Sequence, residues 1–249
     1  MASSMLAFLY QLQGMNYQKL STTDFKVAVI DNESSGLSKT QLSSLQTAGK
    51  TVMAYLSVGE AENYRSYWKA DWNNSKPDFV LEQNENWAGN FRVKFWDKTW
   101  QDIVISRAVE LAKAGYNGIT LDVVDVYNAK SVAASYQGSS DVRSEMMQFV
   151  GAISDAVKAI NPNFKVMQNN AIDLLTVDAS NPNSATNTAY LSKIDAVNAE
   201  SAFYGHDNLP VSWGKWDQQY LSHAVNVGKT VFSIDYATNE ATQKAMCKK

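Results

Sequence analysis

Short apolar runs alternate along this chain with longer stretches of helical period. Eight runs read as strands: residues 5–11, 25–31, 51–57, 91–96, 118–123, 164–168, 194–200 and 230–235. Between them the pattern lengthens. Residues 38–48 open on a Ser cap and close at Gly49, and residues 99–114 carry Ile103, Val104, Ala108, Leu111 and Ala112 before Gly115. Residues 142–160 stop before Asn161-Pro162, and residues 216–227 stop at Gly228. Three times a helix-ending glycine leads within two residues into an apolar strand, at Gly49-Lys50-Thr51, Gly115-Tyr116-Asn117 and Gly228-Lys229-Thr230. Such a turn joins the helix of one β/α unit to the strand of the next. Eight units in succession predict an α/β protein, a single (β/α)8 (TIM) barrel over residues 1–249. An open doubly wound sheet is the alternative, but no G-x-G-x-x-G follows any strand, so nucleotide binding has no support.

Barrel strands present alternate residues to the helices and to the interior, and interior residues at the C-terminal strand ends face the mouth. In residues 118–123, Ile119, Leu121 and Val123 form an apolar side that leaves Thr120 and Asp122 inward. In residues 194–200, Val197 and Ala199 leave Asn198 and Glu200 inward. The same count turns Asp31, Tyr55, Ser57, Lys94, Trp96, Gln168 and Asp235 toward the mouth, with Gln11 from the first strand and Asp125 just past the fifth. Several carboxylates brought together in this way are costly to bury unless they are paired or used.

Two carboxyl groups in different environments suit glycosidic bond cleavage, in which one protonates the leaving oxygen and the other attacks the sugar or activates water. Asp122 and Glu200 are the candidate pair, and Lys94 is placed to hold a neighbouring carboxylate ionised. Around the expected mouth, Asp31, Glu60, Glu62, Asp97, Asp122, Asp125, Glu200 and Asp235 outnumber Arg65, Arg92 and Lys94, which favours neutral or cationic sugars over uronates. The formal net charge of −3, without a basic tract, disfavours nucleic acid or an anionic membrane as partner. Other chemistries are poorly served. The two histidines, His206 and His223, lack H-x-x-x-H spacing, and no G-x-S-x-G elbow is present. The single cysteine, Cys247, excludes an intrachain disulfide or a cysteine metal cluster. Cation binding by Asp122, Asp125 and Asp235 is a minor alternative; no cofactor and no metal are expected.

Residues 59–90 form the longest insertion, and five of the seven tryptophans fall between Trp68 and Trp100. Tyr64, Tyr67, Trp68, Trp72, Phe79 and Trp87 could line a saccharide groove, or fill a satellite core under a long loop. No apolar run reaches the length of a membrane span, and no charged leader with a cleavage site is visible at Met1-Ala2-Ser3-Ser4.

Several motifs occur together and in order. They are Tyr55-Leu56-Ser57-Val58-Gly59-Glu60-Ala61-Glu62 with Tyr64-Arg65 and Trp68, then Val93-Lys94-Phe95-Trp96-Asp97, then G-I-T-L-D-V-V-D-V-Y from Gly118 to Tyr127, then Gln168-Asn169-Asn170, then Glu200 with Phe203-Tyr204-Gly205. From about Leu6 to Tyr236 the chain resembles the endo-α-1,4-polygalactosaminidase family, glycoside hydrolase family 114. That resemblance implies a (β/α)8 barrel that hydrolyses α-1,4-linked galactosamine polymers with an Asp ending the fifth strand and a Glu ending the seventh. Those positions match Asp122, as nucleophile, and Glu200, as acid/base; the two roles could be exchanged, and Asp125 could displace Asp122. Substrate contacts are expected around the mouth at Asp31, Tyr55, Ser57, Glu60, Lys94, Trp96, Asp125, Gln168, Tyr204 and Asp235. Where members of known activity tend to read P-D-N-V-D, this chain reads Leu121-Asp122-Val123-Val124-Asp125, which is more similar to a prokaryotic branch of unassigned substrate.

The expectation is therefore a monomeric, extracellular or periplasmic hydrolase of an amino-sugar polysaccharide. A carbohydrate-binding barrel without catalysis is the competing reading, and a metal-dependent deacetylase is disfavoured by the shortage of histidines.

Overall fold

The computed structural model describes residues 7–204, 209, 211, 214–236 and 238–246. The chain forms two compact units, divided between Val166 and Met167.

The first unit is built on parallel strands. β1 (Phe8–Tyr10), β2 (Val27–Ile30) and β3 (Thr51–Ser57) lie side by side in that order. The chain then leaves this set for β4 (Glu60–Glu62), β5 (Val80–Gln83) and β6 (Asn90–Val93), an antiparallel sheet of order β4-β6-β5. It returns in β7 (Gly118–Asp122), parallel to β3. β8 (Lys165–Asn169) begins here, with the Lys165 N–H bonded to Asn117 O at 2.9 Å, and crosses the division.

The register fixes two faces. Tyr10 stands beside Val29, Val29 beside Met53, Tyr55 beside Thr120 and Ser57 beside Asp122. The opposite face carries Ala28, Ile30, Val52, Ala54, Ile119 and Leu121, each with no exposed surface. Helices Lys98–Ala114 and Val142–Ile160 pack together. They bury Val104, Ala108 and Leu111 from one and Met146, Phe149, Val150, Ile153 and Val157 from the other. Their ends follow local chemistry. Asp97 and Asp141 accept backbone N–H groups of the first turns, Gly115 ends one helix at φ 100°, and Asn161-Pro162 follows the other.

The second unit holds the rest of β8, then β9 (Ala196–Glu200) and β10 (Thr230–Ile234), all parallel. Helix Gly214–Asn226 packs on β9, β10 and the short turn Ile172–Leu175. His223 on that helix bonds Thr186 Oγ1 at 2.7 Å and Pro182 O at 2.8 Å, tying down the preceding loop.

Seven of the eight expected strands appear in the parallel set, with ends shifted by a residue or two; of residues 5–11, Met5 and Leu6 lie outside the described residues. The run 91–96 is the exception. Its apolar alternation is real, with Val93 and Phe95 buried, but β6 ends at Val93 and pairs antiparallel on both sides. Alternation reports a half-buried strand and carries no information on the direction of its neighbours. Gln11 also departs from expectation. The register puts Tyr10 on the face of Val29, while Gln11 is exposed.

Candidate active site

In the first unit Asp122 ends β7 half-buried and accepts a hydrogen bond from the Tyr55 hydroxyl. Burial pushes the Tyr55 phenol well above its ordinary value, and the charges of Asp122 and Glu62 push it further. The group therefore keeps its proton and serves as a donor. Ser57 lies beside Asp122 in register, but its Oγ donates to Glu60 O at 3.0 Å and so fixes the turn after β3. In that turn Gly59 is required. A Cβ there would lie 2.2 Å from Val123 O and 2.7 Å from Val126 Cβ. Asp125, half-buried, sits in the short helix Val124–Asn128 that this close approach braces.

Asp31 is tied into an ionic network. Its Oδ1 accepts Ser34 N–H at 2.8 Å, capping the helix Asn32–Ser35, and its Oδ2 pairs with Arg65 Nη1. Arg65 Nε also meets Glu62 Oε2 at 2.6 Å, and its guanidinium lies 5.7 Å from the Tyr55 ring centre. One cation thus serves two buried carboxylates. Burial holds the Glu62 carboxyl above the ordinary range, against the Arg65 and Tyr64 contacts that oppose it. Glu60 is buried and satisfied by two amides, Asn84 Nδ2 at 2.7 Å and Asn90 Nδ2 at 3.0 Å, inside the small antiparallel sheet. Lys94 and Trp96 follow β6, so the alternation that turned them to a barrel interior does not apply. Lys94 N–H bonds Phe79 O at 2.8 Å, and the Trp96 ring packs edge-on against Phe95 and Tyr136 at 5.0 and 4.9 Å.

Most insertion aromatics form a satellite core. Trp68 stacks on Phe91 and meets Trp72, both at 5.3 Å. Trp72 meets Phe79 at 5.6 Å, and Phe79 and Tyr67 each meet Trp100 at 5.7 Å. Pairs of this kind contribute about 0.5–1.5 kcal/mol each beyond their burial. Tyr64 and Trp87 stay outside it, 59% and 67% exposed.

In the second unit Glu200 ends β9 half-buried. Its Oε1 accepts Asn169 Nδ2 at 2.7 Å, its Oε2 accepts the Tyr236 hydroxyl at 2.6 Å, and its own N–H donates to Asn170 Oδ1 at 2.9 Å. Behind Asn169, Asn198 Nδ2 donates to Asn169 Oδ1. Two expectations are corrected here. Asn169, beside Asn198 in register, shares the face of Glu200, whereas Gln168 stands beside Val197 on the opposite face. Gln168 binds Asn170 O, Ala171 O and the Tyr190 hydroxyl at 2.5, 2.8 and 2.5 Å. In β10 the register sets Ile234 beside Glu200 and Ser233 beside Ala199, so Asp235 follows the other face. Its Oδ1 accepts the backbone N–H groups of Phe203 and Tyr204, both at 2.7 Å, which is a structural task. Tyr236, two residues past Ile234, is the missed neighbour of Glu200. Tyr204 is buried at 8% exposure, and His206 lies outside the described residues.

The backbone singles out the same strand ends. All four non-glycine residues with positive φ, among those described, follow them: Val123 at 57° after Asp122, Asn170 and Ala171 at 54° and 50° after Asn169, and Ser201 at 53° after Glu200. Such conformations cost of order 1–3 kcal/mol each and gather where side chains must be aimed. No three acidic, His or Cys side chains among the described residues are grouped so as to hold a metal ion.

Carboxylates at the C-terminal ends of parallel strands, each met by hydroxyl or amide donors, are what a carbohydrate-cleaving α/β barrel uses. Comparison with known proteins gives the family. A family model described as glycoside-hydrolase family GH114 matches residues 2–249, and the chain belongs to that family, which makes it a glycoside hydrolase by class. Ega3 of Aspergillus fumigatus, solved with galactosamine, superposes with a TM-score of 0.71 at 19% identity, covering 97% of this chain and 85% of that one. The glycoside hydrolase domain of PelA from Pseudomonas aeruginosa gives 0.66 at 20% identity, covering 97% and 87%. These likenesses show the fold, an α/β protein of the (β/α)8-barrel type. An uncharacterized protein of Deinococcus radiodurans is 28% identical over 242 residues, 94% of this chain and 73% of its own length.

Proposed function

We propose that residues 1–249 act as one barrel that hydrolyses an α-1,4-linked galactosamine or N-acetylgalactosamine-type polysaccharide from within the chain, with Asp122 and Glu200 as the catalytic pair. The observation that carries the reading is how the two carboxylates are held. Each ends a parallel strand, each precedes a left-handed residue, and each accepts a hydrogen bond from a tyrosine hydroxyl, Tyr55 for Asp122 and Tyr236 for Glu200. In the proposed reaction Glu200 protonates the leaving oxygen while Asp122 attacks the anomeric carbon. Glu200 then takes a proton from the water that displaces Asp122. The galactosamine bound to Ega3 and the family resemblance support the amino sugar. A polymer of that kind places the enzyme outside the cytoplasm; no helix among the described residues is long and apolar enough to cross a membrane. Asp31 and Glu60 support the site through Arg65, Asn84 and Asn90, and Asp125 is the substrate-facing acid next to Asp122.

The test is reducing-end release from partly deacetylated polygalactosamine, with Asp122→Asn and Glu200→Gln beside the native protein. Loss of about a hundredfold or more in each variant is expected. Native activity retained by either variant removes that carboxylate from the mechanism. An inactive native protein removes the substrate.

A further inference from the structure

Glu200 does not meet a single asparagine. It meets the first of two in series, and the direction of the amides is informative. A carboxylate only accepts hydrogen bonds, so Asn169 must present Nδ2 to Oε1, which it does at 2.7 Å. Its Oδ1 is then turned to Asn198, which must answer with Nδ2, and does. The consequence is an oxygen with nothing to bond. Asn198 Oδ1 has no hydrogen-bond partner, although Asn198 is fully buried on the inner side of β9.

Reversing both amides suits the other protonation state. A protonated Glu200 could donate to Asn169 Oδ1, Asn169 Nδ2 would then face Asn198, and Asn198 would accept through Oδ1. In either direction one amide atom of Asn198 is left unpartnered. Along Glu200, Asn169 and Asn198 the two settings thus make the same number of hydrogen bonds, and the proton on Glu200 selects between them. No proton travels along the relay; each amide turns half a turn about its Cβ–Cγ bond. The backbone keeps the pieces in place. Asn170 N–H bonds Asn198 O at 2.8 Å, and Asn170 Oδ1 accepts Glu200 N–H. Within this unit the other titratable groups near Glu200 are Tyr236, which donates to Oε2, and Asp235, which is turned to the Phe203 and Tyr204 N–H groups.

We infer that Asn169 and Asn198 are positioning residues, an amide relay that reverses when Glu200 gains a proton and so holds its carboxyl in one orientation through both halves of an acid/base cycle. The functional half of this statement rests on the reading of Glu200 as the acid/base; the reversal does not.

The experiment is side-chain amide NMR of the full chain, labelled with 15N and 13C, across a pH titration. Asn169 and Asn198 are assigned by single substitution. In the native protein both NH2 groups should shift with one midpoint shared with Glu200 Cδ, and in Glu200→Gln neither should respond. An Asn198 signal that stays fixed while Asn169 follows Glu200 overturns the relay, as do two signals that still titrate in Glu200→Gln. In kinetics, Asn198→Leu should lower kcat by about tenfold or more with KM unchanged, measured on enzyme whose folded fraction is matched to the native protein by urea unfolding, because loss of folded enzyme alone also lowers apparent kcat without moving KM. A Glu200→Gln enzyme with native kcat would sink the proposed catalytic role while leaving the titration result standing.

Discussion

Replacing Tyr55 by Phe removes one oxygen from a buried ring and nothing else. The ring is 7% exposed and stays fixed beneath the Arg65 guanidinium, 5.7 Å from its centre, so the fold should tolerate the change. What is lost is the hydroxyl that donates to Asp122. A hydrogen bond to a charged acceptor contributes about 1.5–3 kcal/mol. If Asp122 is the group that attacks the sugar, its orientation depends on that bond, and the same energy in the barrier corresponds to roughly 10- to 150-fold in kcat. KM should change little, because the hydroxyl is already engaged by the protein. The assay is initial-rate reducing-end release on the best glycan, with urea unfolding of both proteins in parallel. Because the phenol is pushed upward by burial and by the neighbouring acids, it cannot act as a base over the working range, and the deficit should be the same at pH 5 and pH 8. A Tyr55→Phe enzyme within twofold of native kcat, with native stability, would refute the assignment of Tyr55 as the orienting donor.

Gly59→Ala should destabilise by about 3 kcal/mol or more in urea unfolding, because the new methyl meets the Val123 carbonyl at 2.2 Å and backbone cannot step aside as a side chain can; a loss under about 0.5 kcal/mol contradicts this. Glu62 is held above its ordinary range, so its contribution to stability is fully present below about pH 4.5 and is lost as the pH rises through the raised value. Glu62→Gln cannot ionise, and its stability relative to the native protein should rise between pH 4 and pH 7; a constant or falling difference in denaturation midpoints would count against the shift. Asp235→Ala strands the Phe203 and Tyr204 N–H groups, and should cost about 1–3 kcal/mol of stability with little change in KM. A KM raised tenfold with stability intact would restore Asp235 as a sugar contact.

The residues that the sequence exposes best are those whose type and spacing agree. The inward turn of Asp122 is expected from Ile119 and Leu121 on the helix side, and the register of β3 against β7 sets it on the face of Tyr55 and Ser57, opposite the buried Ile119 and Leu121. Glu200 follows in the same way from Val197 and Ala199. Alternation misleads where apolar residues share the face of the strand-end carboxylates. Phe232 and Ile234 stand beside Asn198 and Glu200, so a rule that sets apolar residues against the helices turns Asp235 inward and passes over Tyr236. Gln168 lies one residue off the face of Glu200, and only pairing with β9 decides which member of Gln168-Asn169-Asn170 shares that face. Residues 91–96 alternate like a barrel strand yet join the small antiparallel sheet, because strand direction is settled by partners distant in sequence, here Glu60–Glu62 and Val80–Gln83. Networks such as Asp31–Arg65–Glu62 are likewise invisible to periodicity; charge type suggests a partner but not which one.

The left-handed residues after the strand ends set a limit on how this protein can be improved. Val123, Asn170, Ala171 and Ser201 hold a backbone shape that glycine adopts without strain. A search for heat-tolerant variants should therefore find gains at Val123, Ala171 and Ser201, as glycine relieves the local strain by more than it adds to the freedom of the unfolded chain, but not at Asn170, whose Oδ1 holds the Glu200 N–H. Those gains would come with a looser aim for the side chain just before each one. Selection for thermal tolerance alone would thus drift toward a sturdier and slower enzyme, whereas selection for turnover would keep Val123, awkward as a β-branched residue is in that conformation.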